Sequence, residues 1–165
     1  MANKKLNKKE GFTIIEVVLV LAIAGLIFLM VFVALPALQR SQRDTQRRDD
    51  MARLATAITS YQSNNNNKLP ISSTVEWSKL IEKYITSTGD TFVDPSGEPY
   101  KVANIVTIGL GTINPYSTEF KPGDIYIYIS ARCAEDGKLT YNQGSRSYAI
   151  YYNLEGGGAY CKDNT

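Results

Sequence analysis

A single apolar stretch near the N-terminus limits what this chain can become more than any other feature. Only Thr13, Glu16 and Gly25 interrupt the strongly apolar residues between Phe12 and Leu35. About 20 apolar residues are enough for a helix to cross the hydrocarbon core of a membrane, and this stretch has 24. The rest of the chain is too small to bury such a helix. We therefore expect the stretch to contact lipid or other copies of the chain.

Charge and composition divide the chain around this stretch. Residues 1–11 carry a net charge of +3, and the remainder carries −1. Basic residues just before an apolar helix keep an N-terminus in the cytoplasm, so we expect the body of the protein on the outer side. The sequence predicts a leader at 1–11, an apolar membrane and polymerisation helix at 12–39, and a globular part at 40–165 that begins with the amphipathic end of the same helix.

The composition of the globular part argues against several functions. A nearly neutral body gives no electrostatic reason to bind nucleic acid, and the chain lacks histidine, the commonest general base and metal ligand. We expect no enzymatic activity, no cofactor and no metal. The carboxylate pairs Asp94/Glu98 and Glu135/Asp136 flank turn glycines, so we interpret them as solvated turn acids. Calcium at such a turn stays an alternative, although the full set of oxygen ligands is missing from the sequence pattern.

The second half of the long helix, up to about residue 62, is amphipathic. Its apolar residues recur at spacings of three and four, which places them on one face: Met51, Leu54, Ala55, Ile58 and Tyr61. In the charged run before them, Arg40/Asp44 and Asp44/Arg48 are four residues apart and can pair on a helix surface. We predict that residues 40–50 form a solvent-exposed face rather than a polyanion site, and that the apolar face packs on a sheet.

Strand patterns follow in the second half of the chain. Residues 100–108 are rich in β-branched residues, residues 125–129 alternate isoleucine with tyrosine, and residues 148–154 form a further strand. Tyr126 and Tyr128 share one strand face, which indicates cross-strand packing, with filament contacts or adhesion as the alternative. Cys133 and Cys161 are the only cysteines. In an exported domain they favour a disulfide over two free thiols.

Glu16 is an acidic residue within the apolar stretch, and its presence there requires an explanation. An acidic side chain well inside a membrane helix costs a few kcal/mol, and no basic residue lies between Phe12 and Gln39. If the chain is cut between Gly11 and Phe12, a new cationic α-amine appears four residues before Glu16. That amine can meet the carboxylate of another copy, so the cleavage site and the buried acid explain each other.

These residues resemble the N-terminal region of the type IV pilins and their pseudopilin relatives. A short basic leader and a long apolar stretch flank the segment that carries the resemblance: Gly11, Phe12, Thr13, Ile14, Ile15 and Glu16. The resemblance is strong over residues 4–39 and looser beyond. It implies a pilin-like α+β fold, in which a long N-terminal α-helix packs on an antiparallel β-sheet. It also implies cleavage after Gly11 and N-methylation of Phe12 by a prepilin peptidase.

The resemblance further implies how such a chain works. Glu16 attracts the Phe12 amine of a neighbouring subunit, and the helices bundle in the core of a homopolymeric helical filament. Implied partners are a platform protein and assembly ATPases, and implied roles are motility, adhesion or DNA uptake. The precursor lies in the cytoplasmic membrane and the polymer on the cell surface. Gly25 fits the family pattern, but Pro36 lies three residues later than its usual counterpart. We expect helix bending between Gly25 and Pro36 in the filament.

Three other interpretations stay open from the sequence. A secretion-system pseudopilin shares the same N-terminal chemistry. A conventional signal peptide is suggested by Ala22 and Ala24, but its cleavage would leave ten apolar residues exposed and Glu16 without a role. A permanently anchored protein with an external binding domain fits the apolar stretch alone, but not the combination of Gly11, Phe12 and Glu16.

Overall fold

The computed structural model describes residues 11–70, 74–107, 123–135, 138–141 and 143–164. Most of the predicted leader, residues 1–10, and Asp136 lie outside this part of the chain. The described elements are helices α1 (Ile14–Asn64) and α2 (Thr74–Tyr84), a 3-10 turn (Thr86–Thr88), and strands β1 (Lys101–Thr107), β2 (Asp124–Ile129), β3 (Ala131–Cys133), β4 (Leu139–Tyr141), β5 (Tyr148–Asn153) and β6 (Ala159–Asp163). Internal contacts separate two units, Met1–Gln39 and Arg40–Thr165.

The first unit consists, where it is described, of the apolar part of α1. Its large apolar side chains are between 47% and 90% exposed, so this unit has no core of its own. Helix α1 is also the one described helix that is long and apolar enough to cross a membrane, with a mean hydropathy of 3.2 over its best window. These properties suit a segment that buries its surface in lipid or against other helices.

The second unit contains the predicted sheet. Its strand order is β1-β2-β5-β6, and a separate hairpin pairs β3 with β4. The β2–β5, β5–β6 and β3–β4 pairs are antiparallel, whereas β1 and β2 run parallel. A parallel pair requires a long connection between its strands, and residues 108–123 provide it. The predicted α+β, pilin-like arrangement is confirmed, with one parallel pair in an otherwise antiparallel sheet.

The main core lies between α1 and one face of the sheet. Met51, Leu54 and Ile58 of the predicted helix stripe are fully buried, and Tyr61 is partly buried against the same core. The alternate strand residues Ile125, Ile127, Ile129 and Ile150 meet this stripe, and α2 adds Trp77 and Leu80. The apolar residues that recur every two positions in β2 and every three to four positions in α1 therefore face the same core, as the sequence predicts.

The other face of the sheet is covered by the β3–β4 hairpin. Tyr128 and Tyr151 pack edge to face, with ring centroids 6.5 Å apart, beside Ala131 and Leu139. Burial raises the pKa of Tyr128 to about 12. Both tyrosines are at most 1% exposed, so they are packing residues and not part of a half-exposed face. Of the two tyrosines predicted to share a strand face, Tyr128 is therefore not available for adhesion or filament contacts, whereas Tyr126 is partly exposed.

A disulfide fastens the hairpin to the sheet. Cys133 at the end of β3 is bonded to Cys161 in β6, with their Cα atoms 5.8 Å apart, as the sequence predicts. The backbone N–H of Cys133 also donates a hydrogen bond to Oδ2 of Asp163, at 2.8 Å. The hairpin is therefore held over the tyrosine face by a covalent bond as well as by packing.

Replacing both cysteines with serine should lower the free energy of unfolding by about 3 kcal/mol. The bond joins residues 28 positions apart, and closing a loop of that size restricts the unfolded chain by roughly that amount. Chemical denaturation of the full chain in detergent measures the difference. Treating the wild type with a reductant should reproduce it. An unchanged unfolding midpoint in both experiments would show that the hairpin is held by packing alone.

Candidate assembly site

The start of α1 holds the residues that the sequence singles out. Gly11, Phe12 and Thr13 precede the helix, which begins at Ile14. The backbone N–H and the hydroxyl of Thr13 donate hydrogen bonds to Oε2 of Glu16, at 3.0 and 2.9 Å. The N–H of Glu16 in turn donates to Oγ1 of Thr13, at 3.4 Å. This reciprocal arrangement is a capping box, in which the first and fourth residues satisfy each other's backbone groups.

The capping box identifies some of the groups that bind the Glu16 carboxylate. The sequence contains no basic residue to pair with this acid within the apolar stretch, yet the structure gives it two donors from Thr13. Both donors bind Oε2, and among the described residues Oε1 accepts no hydrogen bond. The carboxylate is thus half satisfied within its own chain and keeps one oxygen for another donor.

Gly11 and Phe12 are both accessible. Phe12 is 90% exposed, and a Cβ atom added to Gly11 would meet no atom within 4 Å. The fold of the described residues therefore does not require glycine at position 11, which suits recognition of that residue by another molecule. An open groove of about 450 Å³ borders Phe12 and Glu16, and its other walls are apolar side chains of α1.

The helix-bending residues lie within α1. The helix passes through Gly25 and contains Pro36, and a Cβ atom at Gly25 would also meet nothing within 4 Å. Glycine and proline weaken a helix by roughly 1 and 3 kcal/mol relative to alanine. Bending between these positions was predicted for the filament and stays a prediction.

A second polar group, in the globular unit, was not expected. We call Arg43, Asp44, Arg47, Asp94 and Glu155 the Arg47 cluster. The guanidinium of Arg47 binds Asp94 through two parallel hydrogen bonds of 2.8 and 2.9 Å. Its Nη1 donates to Asp44 at 2.9 Å and to Glu155 at 3.1 Å. Arg43 makes a second two-point pair with Glu155, at 2.8 and 2.6 Å.

Asp44 connects the helix to the turn between β5 and β6. Its two carboxylate oxygens accept hydrogen bonds from the backbone N–H groups of Glu155 and Gly156, at 2.9 and 2.7 Å. A Cβ atom at position 156 would lie 2.9 Å from Oδ2 of Asp44, so only glycine fits there without a shift. The turn is therefore shaped to receive this carboxylate.

These observations correct two predictions from the sequence. Residues 40–50 were predicted to be a solvated face, but Asp44, Arg47 and Asp50 are buried. Asp94 was interpreted as a solvated turn acid, and it is only 3% exposed. The predicted pairs of Asp44 with residues four positions away are replaced by a pair with Arg47, three positions away. Removing these charges from water is costly unless each finds a partner, and the partners of Arg47 come from its own helix and from two distant segments.

The electrostatics of the cluster follow from its contacts. Burial alone would raise the pKa of Asp94, but hydrogen bonds from Arg47, Ser96 and Tyr152 outweigh it and hold that pKa well below its usual range. The hydrogen bonds from Arg43 and Arg47 lower the pKa of Glu155 to about 2. Asp50, which accepts a hydrogen bond from Tyr100, behaves oppositely because burial raises its pKa.

The cluster does not form a ligand site within the described part of the chain. A cleft of about 640 Å³ borders it, but its two arginines and Asp94 are already paired with each other or with Glu155. Among the described residues, no group of three or more cysteines and carboxylates is placed to hold a metal ion.

Comparison with known proteins agrees with the class that the fold and the N-terminal site define. The structure is an α+β, pilin-like arrangement. The prokaryotic N-terminal methylation motif matches residues 6–32, a range that includes Gly11, Phe12 and Glu16. This motif is the class III signal peptide of type IV pilins and pseudopilins, so the chain carries the N-terminal signature of a prepilin. Neither the curated proteins nor the solved structures include a significant match.

Proposed function

We propose that this chain is a structural subunit of a type IV pilus or a related extracellular filament, and not an enzyme. It is inserted in the membrane as a prepilin, cleaved after Gly11, methylated on the amine of Phe12 and polymerised through its apolar helix. The observation that supports this most is the methylation motif at residues 6–32, because it covers the cleavage site, the new N-terminus and Glu16 together.

The geometry of the N-terminal site gives this proposal a physical mechanism. Cleavage turns the backbone nitrogen of Phe12 into a cationic amine. The free Oε1 of Glu16 is an acceptor for the amine of a neighbouring copy, while Oε2 stays bonded to Thr13. Pairing of opposite charges in a medium of low polarity is strong, so each added subunit is drawn to one axial position. The exposed apolar side chains of α1 then bury each other.

The same proposal accounts for location and partners. An apolar helix behind a basic leader suits membrane anchoring before assembly, and the disulfide suits an oxidising compartment outside the cytoplasm. The partners are a prepilin peptidase, an inner-membrane platform protein, assembly ATPases and further copies of the chain. Motility, adhesion or DNA uptake would be properties of the polymer.

Mass spectrometry of the N-terminal peptide tests the processing step. In filament or membrane material from cells with a prepilin peptidase, chains should begin at Phe12 and carry one additional methyl group on its amine. Material from cells without the peptidase should retain the leader through Gly11. Intact leaders in otherwise normal filaments would refute the processing step.

A secretion-system pseudopilin is the second candidate, since the methylation motif is common to both classes. Electron microscopy of cells that lack the chain separates the two. Complete loss of surface fibres is expected for a major pilus subunit. Unchanged fibres together with a defect in protein secretion would favour the pseudopilin.

A further inference from the structure

The Arg47 cluster lies where the polar and apolar parts of the buried face of α1 meet. Asp44, Arg47 and Asp50 are three residues apart and buried, and the apolar stripe starts at Met51. The cluster joins three segments that are distant in the chain. Asp94 is 47 residues from Arg47, and Glu155 is 108 residues from it. This part of α1 is therefore bound to the sheet by charged side chains. The following part is held mainly by apolar packing, to which Tyr148 adds a hydrogen bond to the carbonyl of Ala55 and Gln62 one to the carbonyl of Arg146.

Apolar packing alone does not fix where the helix sits along its axis. If α1 slipped by three residues, the sites of Met51, Leu54, Ala55 and Ile58 would receive Leu54, Ala57, Ile58 and Tyr61, which are also apolar. Hydrophobic contacts are non-directional, and residues three apart lie on nearly the same face of a helix. In polarity the stripe is thus compatible with a slipped position, although Ala55 and Ile58 would be replaced by larger side chains.

The Arg47 cluster is not compatible with that slip. The same three-residue movement would place Asp50 opposite Asp94, and Arg47 against the N–H groups of Glu155 and Gly156. The first contact would bring two carboxylates together, and the second would bring a guanidinium against backbone N–H donors. The structure has complementary pairs at both places. A slip of three residues in the other direction would place Asp44 opposite Asp94. Either movement leaves buried groups unpaired, which is strongly unfavourable.

We infer that the Arg47 cluster sets the axial register of α1 on the sheet. It does so by charge complementarity at two sites, one that accepts a cation opposite Asp94 and one that accepts an anion at the β5–β6 turn. A buried polar group that selects one register among apolar alternatives is a known use of such groups in helical assemblies.

The consequence for assembly rests on the proposed function. A helical polymer requires every copy to adopt the same structure, so every copy must hold the same residues of α1 against its sheet. A mixture of registers would give subunits that differ by about 4.5 Å along the axis, at 1.5 Å per residue. The cluster removes that heterogeneity before the subunits meet.

Moving the charge pattern by three residues tests the inference directly. The double variant Arg47→Asp and Asp50→Arg places a cation and an anion where the slipped helix would need them. Spin labels carried by noncanonical amino acids at the exposed Thr56 and Thr140 report the position of α1 against the β3–β4 hairpin, in the full chain in detergent. We expect a single distance in the wild type. In the variant the distance should change by several ångströms, because residue 56 would move to the place of residue 53, about 4.5 Å along the helix axis.

A matched control exchanges the same residue types on the exposed face. Arg48→Asp with Asp49→Arg conserves charge outside the cluster and should keep the wild-type distance. If the Arg47/Asp50 variant does not fold, the neutral variant Asp44→Ala, Arg47→Met and Asp94→Asn removes the charges at both sites instead. It should broaden the distance distribution or add a second distance. A wild-type distance in either folded variant would overturn the inference. These measurements need neither peptidase nor polymer, so failure of the proposed function would leave their outcome unaffected.

Discussion

Replacing Glu16 with valine should reduce filament yield at least tenfold while the chain still enters the membrane. Removing an acid from the apolar stretch makes insertion more favourable by a few kcal/mol, so the amount of membrane-bound chain should not fall. The substitution also removes the free oxygen that we assign to the Phe12 amine of the next subunit. Electron microscopy and immunoblots of sheared surface material, against the membrane fraction, measure the two quantities.

Two further variants separate the charge of Glu16 from its role in capping. Glutamine at position 16 preserves the capping box, which accepts glutamate or glutamine at this position, but carries no charge. It should therefore fail to polymerise like the valine variant. Thr13→Val removes the hydroxyl donor at 2.9 Å and leaves the carboxylate, so polymer should persist. Normal filaments from Glu16→Gln would mean that Glu16 acts through helix capping rather than through charge.

The elements of the fold were predictable where the local pattern and the final environment agree. The apolar stripe from Met51 to Ile58 and the alternation in residues 125–129 each have a period that only one kind of element satisfies. Both turned out to face the same core. The disulfide was predictable because two cysteines in a domain that is expected to be exported leave a single possible pairing.

The Arg47 cluster was not predictable for a physical reason. The arginines and aspartates of residues 40–50 would have the same spacing on an exposed helical face and on a buried one. What decides between them is the presence of Asp94 and Glu155, which are distant in the chain and meet Arg47 only after folding. The parallel pairing of β1 with β2 was not predictable from the strand sequences either, since it requires a long connection between the two strands.

The capping box, in contrast, left a signal in the sequence. Threonine followed three residues later by glutamate, ahead of an apolar helix, is its usual signature, and Thr13 and Glu16 match it. It was missed because Glu16 had another explanation in the cleavage site. The two explanations are compatible, since each uses a different oxygen of the same carboxylate.

Asp94→Asn should lower the free energy of unfolding by roughly 3 kcal/mol, the lower end for breaking a buried ion pair, because Arg47 loses its two-point partner and keeps only Asp44 and Glu155. The side chain of Asp94 is only 2% exposed, and that of Arg47 only 5%. Asparagine keeps an acceptor for the N–H of Ser96 but removes the charge. Urea denaturation of the full chain in detergent at pH 7 measures the loss. Asp90→Asn, at a 63% exposed partner of Arg53, is the control and should cost less than about 1 kcal/mol.

The pH dependence of this difference identifies its source. The pKa of Asp94 is held well below its usual range in the folded protein, whereas an unfolded aspartate titrates at about 3.9. A carboxylate with a lowered folded pKa contributes its full stability above the unfolded value and loses it as the pH falls through the folded one. The wild type should therefore lose stability below about pH 4, and the gap between it and Asp94→Asn should narrow steadily there. Glu155, whose pKa is lowered to about 2, remains in both proteins and adds the same trend to each. A gap that stays constant from pH 7 down to pH 2 would mean that Asp94 stabilises the fold through its shape and hydrogen bonds, and not through its charge opposite Arg47.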